Sequence, residues 1–147
     1  MQTRIPDKSP QFSVPAGYAG SRSQTWLGRG LSAVAALFLL FDGTGKLLGV
    51  QPVIEGTARL GYPPEIVFSL GAILLSCVLA YMIPRTSILG ALLLTGYLGG
   101  AVATHVRVEN PLFTHILFPT YIGALIWGGL ILRDGRVRAL LPIRRSS

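Results

Sequence analysis

The sequence has few charged residues and few groups suited to redox or metal chemistry. Only 13% of its 147 residues are Asp, Glu, Lys or Arg, whereas a soluble domain has about 25%. Cys77 is the single cysteine, so the chain can form no internal disulfide, CxxC pair or thiolate metal cluster. These shortages exclude disulfide-exchange enzymes and argue against an ordinary soluble domain. Cys77 is expected to be a small apolar filler in a buried helix.

Acidic residues are the scarcer kind of charge. Six Asp and Glu face 13 Lys and Arg, which gives a net charge of +7. In a soluble protein this excess would suggest nucleic-acid binding. Here the basic residues flank long apolar runs, so they are better explained by membrane topology, and we expect no nucleic-acid partner.

Apolar residues are abundant and occur in long segments. Half of the chain is hydrophobic, and its mean hydropathy is +0.55. Four apolar segments follow one another, at about 27–49, 66–83, 87–106 and 113–132. About 20 apolar residues cross a hydrocarbon core of about 30 Å, and no segment alternates apolar and polar residues as a strand would. The sequence therefore predicts an all-α integral membrane four-helix bundle.

The membrane domain is predicted over 26–134, between two tails. Residues 1–25 are polar and contain three prolines, with no apolar stretch of signal-peptide length. They predict a flexible cytoplasmic tail and not a cleaved signal. Residues 135–147 predict a basic cytoplasmic tail, which would lie on the lipid bilayer.

The distribution of Lys and Arg predicts the orientation. With four spans, one side receives only Arg59 and Arg107 as loop residues, and ten basic residues fall on the other side. Those ten are Arg4, Lys8, Arg22, Arg29, Arg85, Arg133, Arg136, Arg138, Arg144 and Arg145. A three-span arrangement without the interrupted first segment would lose this asymmetry. The positive-inside rule then predicts a multi-pass protein of the cell inner membrane with both termini in the cytoplasm.

Two opposite charges interrupt the first span. Asp42 and Lys46 are four residues apart, so they share a helix face and can form an ion pair. Lys46 is far enough along the helix to reach the outer interface, while Asp42 lies a little deeper. The surrounding DGTGK is not a phosphate-binding loop, because the GxxxxGK[ST] pattern fails at both ends. Ionisable groups inside a membrane are candidates for function, and the alternative is a structural salt bridge.

The topology brings further polar residues to the same level. His105 ends the third span, His115 opens the fourth, and Tyr97 lies two turns before His105. We therefore predict an outer-leaflet polar pocket formed by Asp42, Lys46, Tyr97, His105 and His115. Two minor alternatives are a metal site of both histidines with Glu109 and a haem held between the histidines; no metal site is predicted. Pro119 should kink the fourth helix one turn beyond His115.

The third span carries a GxxxG pair, Gly96 and Gly100, on a face of small residues. Such faces let helices approach closely in lipid. Gly96 and Gly100 are therefore predicted to pack helices within the chain's own bundle, with homodimer packing as the alternative.

Four stretches resemble the DoxX-like family of small bacterial membrane proteins, over roughly Arg29 to Pro142. They are LFLLFDGTGKLL, LGYPPE, YMIPRTSILGALLLTGYLGGAVATHVRVENPLFTHILFP and GGLILRDGRVRALLP. The resemblance implies a four-helix membrane bundle. The family takes its name from a subunit of a thiosulfate:quinone oxidoreductase, and other members are linked to redox or sulfur stress. Where similar proteins often carry a glutamate in the second span, this chain has Leu74.

Three functions are consistent with the sequence. The first is a membrane subunit of a redox or quinone-linked system, for which the resemblance alone suggests a quinone as cofactor. The second is a non-enzymatic assembly or interaction module, with a membrane protein or a second copy as partner. The third is a small proton-linked transporter acting as a dimer. The sequence leaves open whether the chain is an enzyme.

Overall fold

The computed structural model describes residues 22–140 and is helical over most of that length. The helices are α1 (Arg22–Leu47), α2 (Gln51–Arg59), α3 (Ile66–Met82), α4 (Ser87–Arg107), α5 (Phe118–Arg133) and α6 (Gly135–Leu140). A π-helical turn, Leu112–Ile116, precedes α5. No strand occurs within these residues, and the predicted all-α membrane fold is confirmed.

The predicted tails fall mostly outside the described residues. Residues 1–21 and 141–147 are not described, so the flexible tail predicted for 1–25 and most of the basic tail predicted for 135–147 lie outside the described residues. The described part of the first tail, 22–25, forms the first turn of α1. The described part of the second, Gly135–Leu140, is the short helix α6.

Three helical stretches among residues 22–140 are long and apolar enough to cross a membrane. They are α1, α4 and the continuous stretch Leu112–Arg133. The fourth apolar helix, α3, has 17 residues, or about 26 Å at about 1.5 Å per residue. The chain is therefore a membrane protein with three candidate spans, and a crossing by α3 stays a prediction.

A single glycine, Gly49, terminates α1. Gly49 has a φ of +60°, a conformation that favours glycine. Its N–H donates to Lys46 O at 3.2 Å, and the N–H of Val50 donates to Gly45 O at 3.1 Å. These two bonds form the Schellman motif that closes helices, so α1 ends at Leu47.

The helix α2 was not predicted, because its nine residues are too few and too polar to resemble a span. Pro52 occupies its first turn, where a missing N–H costs nothing. Thr57 is buried, Val53 and Ile54 are half-buried, and the other residues are exposed. This spacing gives one apolar face on a short amphipathic helix.

The four long helices pack in a closed order, in which α1 contacts α3 and α5, and α4 contacts the same two helices. Glycines permit the closest approaches. A Cβ atom at Gly28 would lie 2.8 Å from the backbone nitrogen of Arg133. Between α3 and α4, a Cβ atom at Gly90 would overlap the backbone of Tyr81.

These contacts define the two ends of the bundle. Since Gly28 meets Arg133, α1 begins where α5 ends, and Arg133 also donates to the carbonyl oxygen of Tyr81 at 3.3 Å. We call this the basic end. At the other end, Arg107 donates to the carbonyl oxygen of Leu60 at 2.6 Å. We call it the histidine end, because α4 finishes there at His105 to Arg107 and the π turn follows.

Candidate functional site

The ion pair predicted from the spacing of Asp42 and Lys46 is formed. The Lys46 ammonium donates to the Asp42 carboxylate one helical turn away. The side chains of Lys46 and Asp42 are 14% and 33% exposed, respectively. The helix α3 lies directly against Lys46, since a Cβ atom at Gly71 would lie 2.8 Å from Lys46 Cβ. The pair therefore lies at the contact between α1 and α3.

Tyr97 brings a phenol from α4 towards this ion pair. Its side chain is half-buried and packs against the hydrophobic core. Its hydroxyl is close enough to interact electrostatically with the Asp42 carboxylate, with Cys77 and with Tyr62. A carboxylate, an ammonium and a phenol are thus grouped in the half of the bundle nearer the histidine end.

Tyr62 and Thr104 extend this group, and the sequence reasoning missed both. The Tyr62 hydroxyl lies 2.9 Å from Thr104 Oγ1, and the Thr104 hydroxyl lies 2.9 Å from Gly100 O. In the sequence, Tyr62 stands out only as part of LGYPPE, one of the stretches that carry the family resemblance. Its position at a span boundary, where tyrosines are enriched at membrane interfaces, was the available signal. We call Asp42, Lys46, Tyr97, Tyr62 and Thr104 the ion-pair cluster.

The two histidines are brought together. Their ring centroids are 5.8 Å apart at an interplanar angle of 62°. Nδ1 of His105 lies 2.8 Å from Nδ2 of Asn110, and Nδ1 of His115 lies 2.8 Å from Thr114 Oγ1. We call these four residues the histidine cluster. The contact between the two histidines joins the C-terminal end of α4 to the π turn before α5.

The π turn places His115 in this cluster. Pro119 has no N–H, so it cannot bond to the carbonyl of His115 as an α-helix would require. The chain instead forms a wider turn before the proline, with Leu117 N bonded to Leu112 O at 2.8 Å. A π turn therefore lies before α5, on the N-terminal side of Pro119, and a kink of the helix at Pro119 itself stays a prediction.

The five predicted pocket residues form two clusters. Among residues 22–138, no hydrogen bond or ion pair joins either histidine to Asp42, Lys46 or Tyr97. Within the same range, no three His, Cys, Asp or Glu side chains are grouped to hold a metal ion. The alternative site of both histidines with Glu109 is therefore not formed by these residues.

An open groove of about 380 Å³ lies between α4 and α5. Its lining is mainly apolar or small: Thr95, Leu98, Gly99, Val102, Pro119, Thr120, Gly123, Ala124 and Trp127. Val102 precedes His105 by three residues and Pro119 follows His115 by four, so the groove ends next to the histidine cluster. Sequence reasoning missed this groove, because it depends on which faces of the two helices meet.

The GxxxG pair points away from the other described helices. Gly96 and Gly100 are exposed, and a Cβ atom at either would meet no atom within 4 Å. Packing by these two glycines within the chain's own bundle is therefore not observed in the described part of the chain. The close approaches between its helices are made by Gly28, Gly43, Gly71, Gly90 and Gly129.

Comparison with known proteins adds one match. No curated protein and no solved structure matches the chain. The family model described as the DoxX-like family matches residues 30–129. That range includes the ion-pair cluster, the histidine cluster and the groove. The chain therefore belongs to the DoxX-like family, as its sequence stretches indicated.

Proposed function

We propose that the chain is a membrane subunit of a redox system linked to a quinone. Its functional site would be the half of the bundle that holds the ion-pair cluster and the histidine cluster. The observation that carries this proposal is the ion pair of Asp42 and Lys46 at the contact of two membrane helices, with the Tyr97 phenol within electrostatic range. The DoxX-like family takes its name from a subunit of a thiosulfate:quinone oxidoreductase, and this supports a quinone-linked role.

The cost of placing charges in a membrane supports a functional role for the pair. An unpaired Asp or Lys at a span centre costs about 2.5–3.5 kcal/mol on insertion scales. Pairing lowers that cost, yet an apolar pair of similar size would avoid it. Ionisable groups that persist inside the membrane therefore mark ligand or proton sites by default.

The chemistry of the cluster suits a quinone. A quinone carbonyl accepts hydrogen bonds, and Lys46 and Tyr97 can donate them. A quinol hydroxyl donates, and the Asp42 carboxylate can accept it. Carboxylates, histidines and phenols are also the groups that most often move protons in enzymes. In this proposal Asp42, Lys46, Tyr97, His105 and His115 act from one half of the bundle.

The orientation belongs to the same proposal. The basic end of the described chain carries Arg22, Arg29, Arg85, Arg133, Arg136 and Arg138. By the positive-inside rule this end faces the cytoplasm. The ion-pair and histidine clusters then lie in the outer half of the inner membrane, and α3 completes a four-span topology.

The decisive variant is Asp42→Asn. In membranes that contain the chain, supplied with thiosulfate or sulfide as electron donor, it is expected to abolish the added reduction of a decyl-substituted benzoquinone. Asp134→Asn is the matched control, because Asp134 lies at the basic end and, among residues 22–138, its carboxylate accepts only from the backbone N–H of Arg136 at 2.9 Å. Unchanged turnover in Asp42→Asn membranes, at equal amounts of inserted protein, would remove Asp42 from the function.

A second candidate function, an assembly module, rests on the outward face of α4. Gly96 and Gly100 leave room for a helix of another membrane protein or of a second copy. This candidate predicts a protein that co-purifies after gentle crosslinking and is lost in Gly100→Leu. Recovery of the wild-type chain alone would count against it.

A further inference from the structure

The basic end of the bundle carries cationic side chains that have no anionic partner among residues 22–138. Asp134 is the one carboxylate at this end within that range, and no ion pair is formed there. The Asp134 carboxylate instead accepts from the backbone N–H of Arg136 at 2.9 Å. An excess of unpaired positive charge on one surface attracts an anion from outside the chain.

The kind of cation at this end favours an oxyanion such as phosphate. The described basic residues there are all arginines: Arg22, Arg29, Arg85, Arg133, Arg136 and Arg138. Within residues 22–140 the single lysine is Lys46, which belongs to the ion-pair cluster. A guanidinium holds five N–H donors in a fixed plane and can donate two parallel hydrogen bonds to one phosphate or carboxylate.

Arg133 is held in place by Tyr81. Its guanidinium carbon lies 4.8 Å from the centroid of the Tyr81 ring, and Nη2 donates to the carbonyl oxygen of Tyr81 at 3.3 Å. Tyr81 itself is 1% exposed, and its hydroxyl is bonded to Ser32 and Ile126. A guanidinium fixed in this way loses little further conformational freedom when an anion binds.

The short helix α6 holds a second arginine against the bundle. Val137 is 4% exposed and belongs to the hydrophobic core, so α6 is docked and does not extend into solvent. The next residue, Arg138, is half-buried, and its Nε atom is covered without a hydrogen-bond partner among the described residues. A covered charged donor without an acceptor is unfavourable. An anion bound to the accessible part of the guanidinium would offset this cost.

The neighbouring surface favours a lipid head group as that anion. Trp26 and Leu27, at the start of α1, are 63% and 58% exposed, and the guanidinium carbon of Arg29 lies 5.4 Å from the centroid of the Trp26 ring. Exposed tryptophan beside basic residues is typical of the boundary between hydrocarbon and head groups. Arg133 also ends one of the candidate spans. At this level of a bilayer, the phosphate groups are those of phospholipids.

We propose that the basic end binds one anionic phospholipid, whose head-group phosphate accepts from the Arg138 guanidinium, with Arg133 as the second fixed cation of the site. Basic sites at the cytoplasmic ends of membrane helices are suited to such head groups. The inference does not depend on the quinone-linked function, because it requires only that this end lies at a membrane surface.

Counting of retained lipids provides the test. The full chain in a non-ionic detergent receives equal amounts of phosphatidylglycerol and phosphatidylcholine, and bound lipids are counted by native mass spectrometry. We expect one phosphatidylglycerol per chain, held about tenfold more tightly than phosphatidylcholine, because the arginines repel the choline cation. Inorganic phosphate at the same concentration is expected not to displace the lipid.

Two arginines of α6 give a matched pair of variants. Arg138→Gln and Arg136→Gln each remove one positive charge from the same helix, but Arg136 is exposed whereas Arg138 is half-buried. Arg138→Gln is expected to abolish the preference for phosphatidylglycerol, and Arg136→Gln to change it by less than about twofold. Arg138→Lys keeps the charge without the planar donor arrangement and is expected to weaken the preference several-fold. Circular dichroism checks that each variant keeps its helix content.

The outcomes separate a defined site from diffuse attraction. Equal losses in Arg138→Gln and Arg136→Gln would overturn the proposal, since net charge alone would then explain retention. Equal retention of both lipids by the wild-type chain, or displacement by inorganic phosphate, would also overturn it. If Arg138→Gln fails to fold, Arg138→Lys decides, because an undiminished preference in that variant would exclude a role for the guanidinium. The quinone-linked function is tested separately, through Asp42.

Discussion

Gly71 of α3 lies directly against the stem of Lys46 on α1. A Cβ atom at position 71 would lie 2.8 Å from Lys46 Cβ and 3.0 Å from the backbone oxygen of Gly43. The missing side chain lets α3 cover the helical turn that carries the ion pair. The shielding of Asp42 and Lys46 from lipid thus depends on a residue 25 positions further along the chain.

This contact predicts that Gly71→Ala destabilises the fold. The added methyl group meets backbone atoms of α1 that cannot move independently, and overpacking of this kind costs about 1–3 kcal/mol. The free energy of unfolding in detergent measures the effect. Gly96→Ala is the control, because that position is open; a loss of stability as large there would contradict the packing account.

Removal of one buried hydroxyl should also destabilise the bundle. Tyr81 is 1% exposed, and its hydroxyl lies 2.8 Å from Ser32 Oγ and 3.0 Å from the carbonyl oxygen of Ile126. Tyr81→Phe leaves buried polar atoms without a partner, at a cost of about 1–3 kcal/mol. Tyr121→Phe, at an exposed position of α5, should change the free energy of unfolding little. Equal effects of the two substitutions would exclude a special role for the Tyr81 hydroxyl.

A double-mutant cycle should detect coupling within the ion pair. Asp42→Asn and Lys46→Met each leave one charged partner alone at a helix contact, whereas the double variant leaves none. The sum of the single effects should therefore exceed the double effect by about 0.5–3 kcal/mol in unfolding free energy. Additive effects would mean that the pair contributes nothing to stability beyond its separate residues.

Single cysteines should reveal the topology. Cys77 is the one native cysteine and is buried, so Cys77→Ser gives a background without thiols. We expect Arg85→Cys and Arg136→Cys to react only from the cytoplasmic side, and Glu55→Cys on α2 only from the outside. Labelling of positions 55 and 85 from the same side would show that α3 does not cross the membrane.

The membrane helices could be predicted from sequence because hydropathy is a local property. The second and third apolar segments begin at Ile66 and Ser87, where α3 and α4 begin. The pairing of Asp42 with Lys46 is local in the same sense, because it follows from a separation of four residues. The family resemblance is also confirmed.

What could not be predicted depends on which helix faces meet. The histidines were expected to share a pocket with Asp42, but His105 turns towards the π turn and His115. A GxxxG motif indicates a face for close packing and does not name its partner, so Gly96 and Gly100 could not be assigned from sequence. The groove between α4 and α5 requires both helices to be positioned before it exists.

The proposed link to a quinone is tested most directly by purifying the chain in mild detergent and identifying what accompanies it. An absorption spectrum and mass spectrometry of the organic extract, normalised to protein, give the composition. The account predicts quinone in near-stoichiometric amount from the wild-type chain, and much less from Asp42→Asn than from Asp134→Asn. An extract that contains phospholipid but no quinone would contradict it.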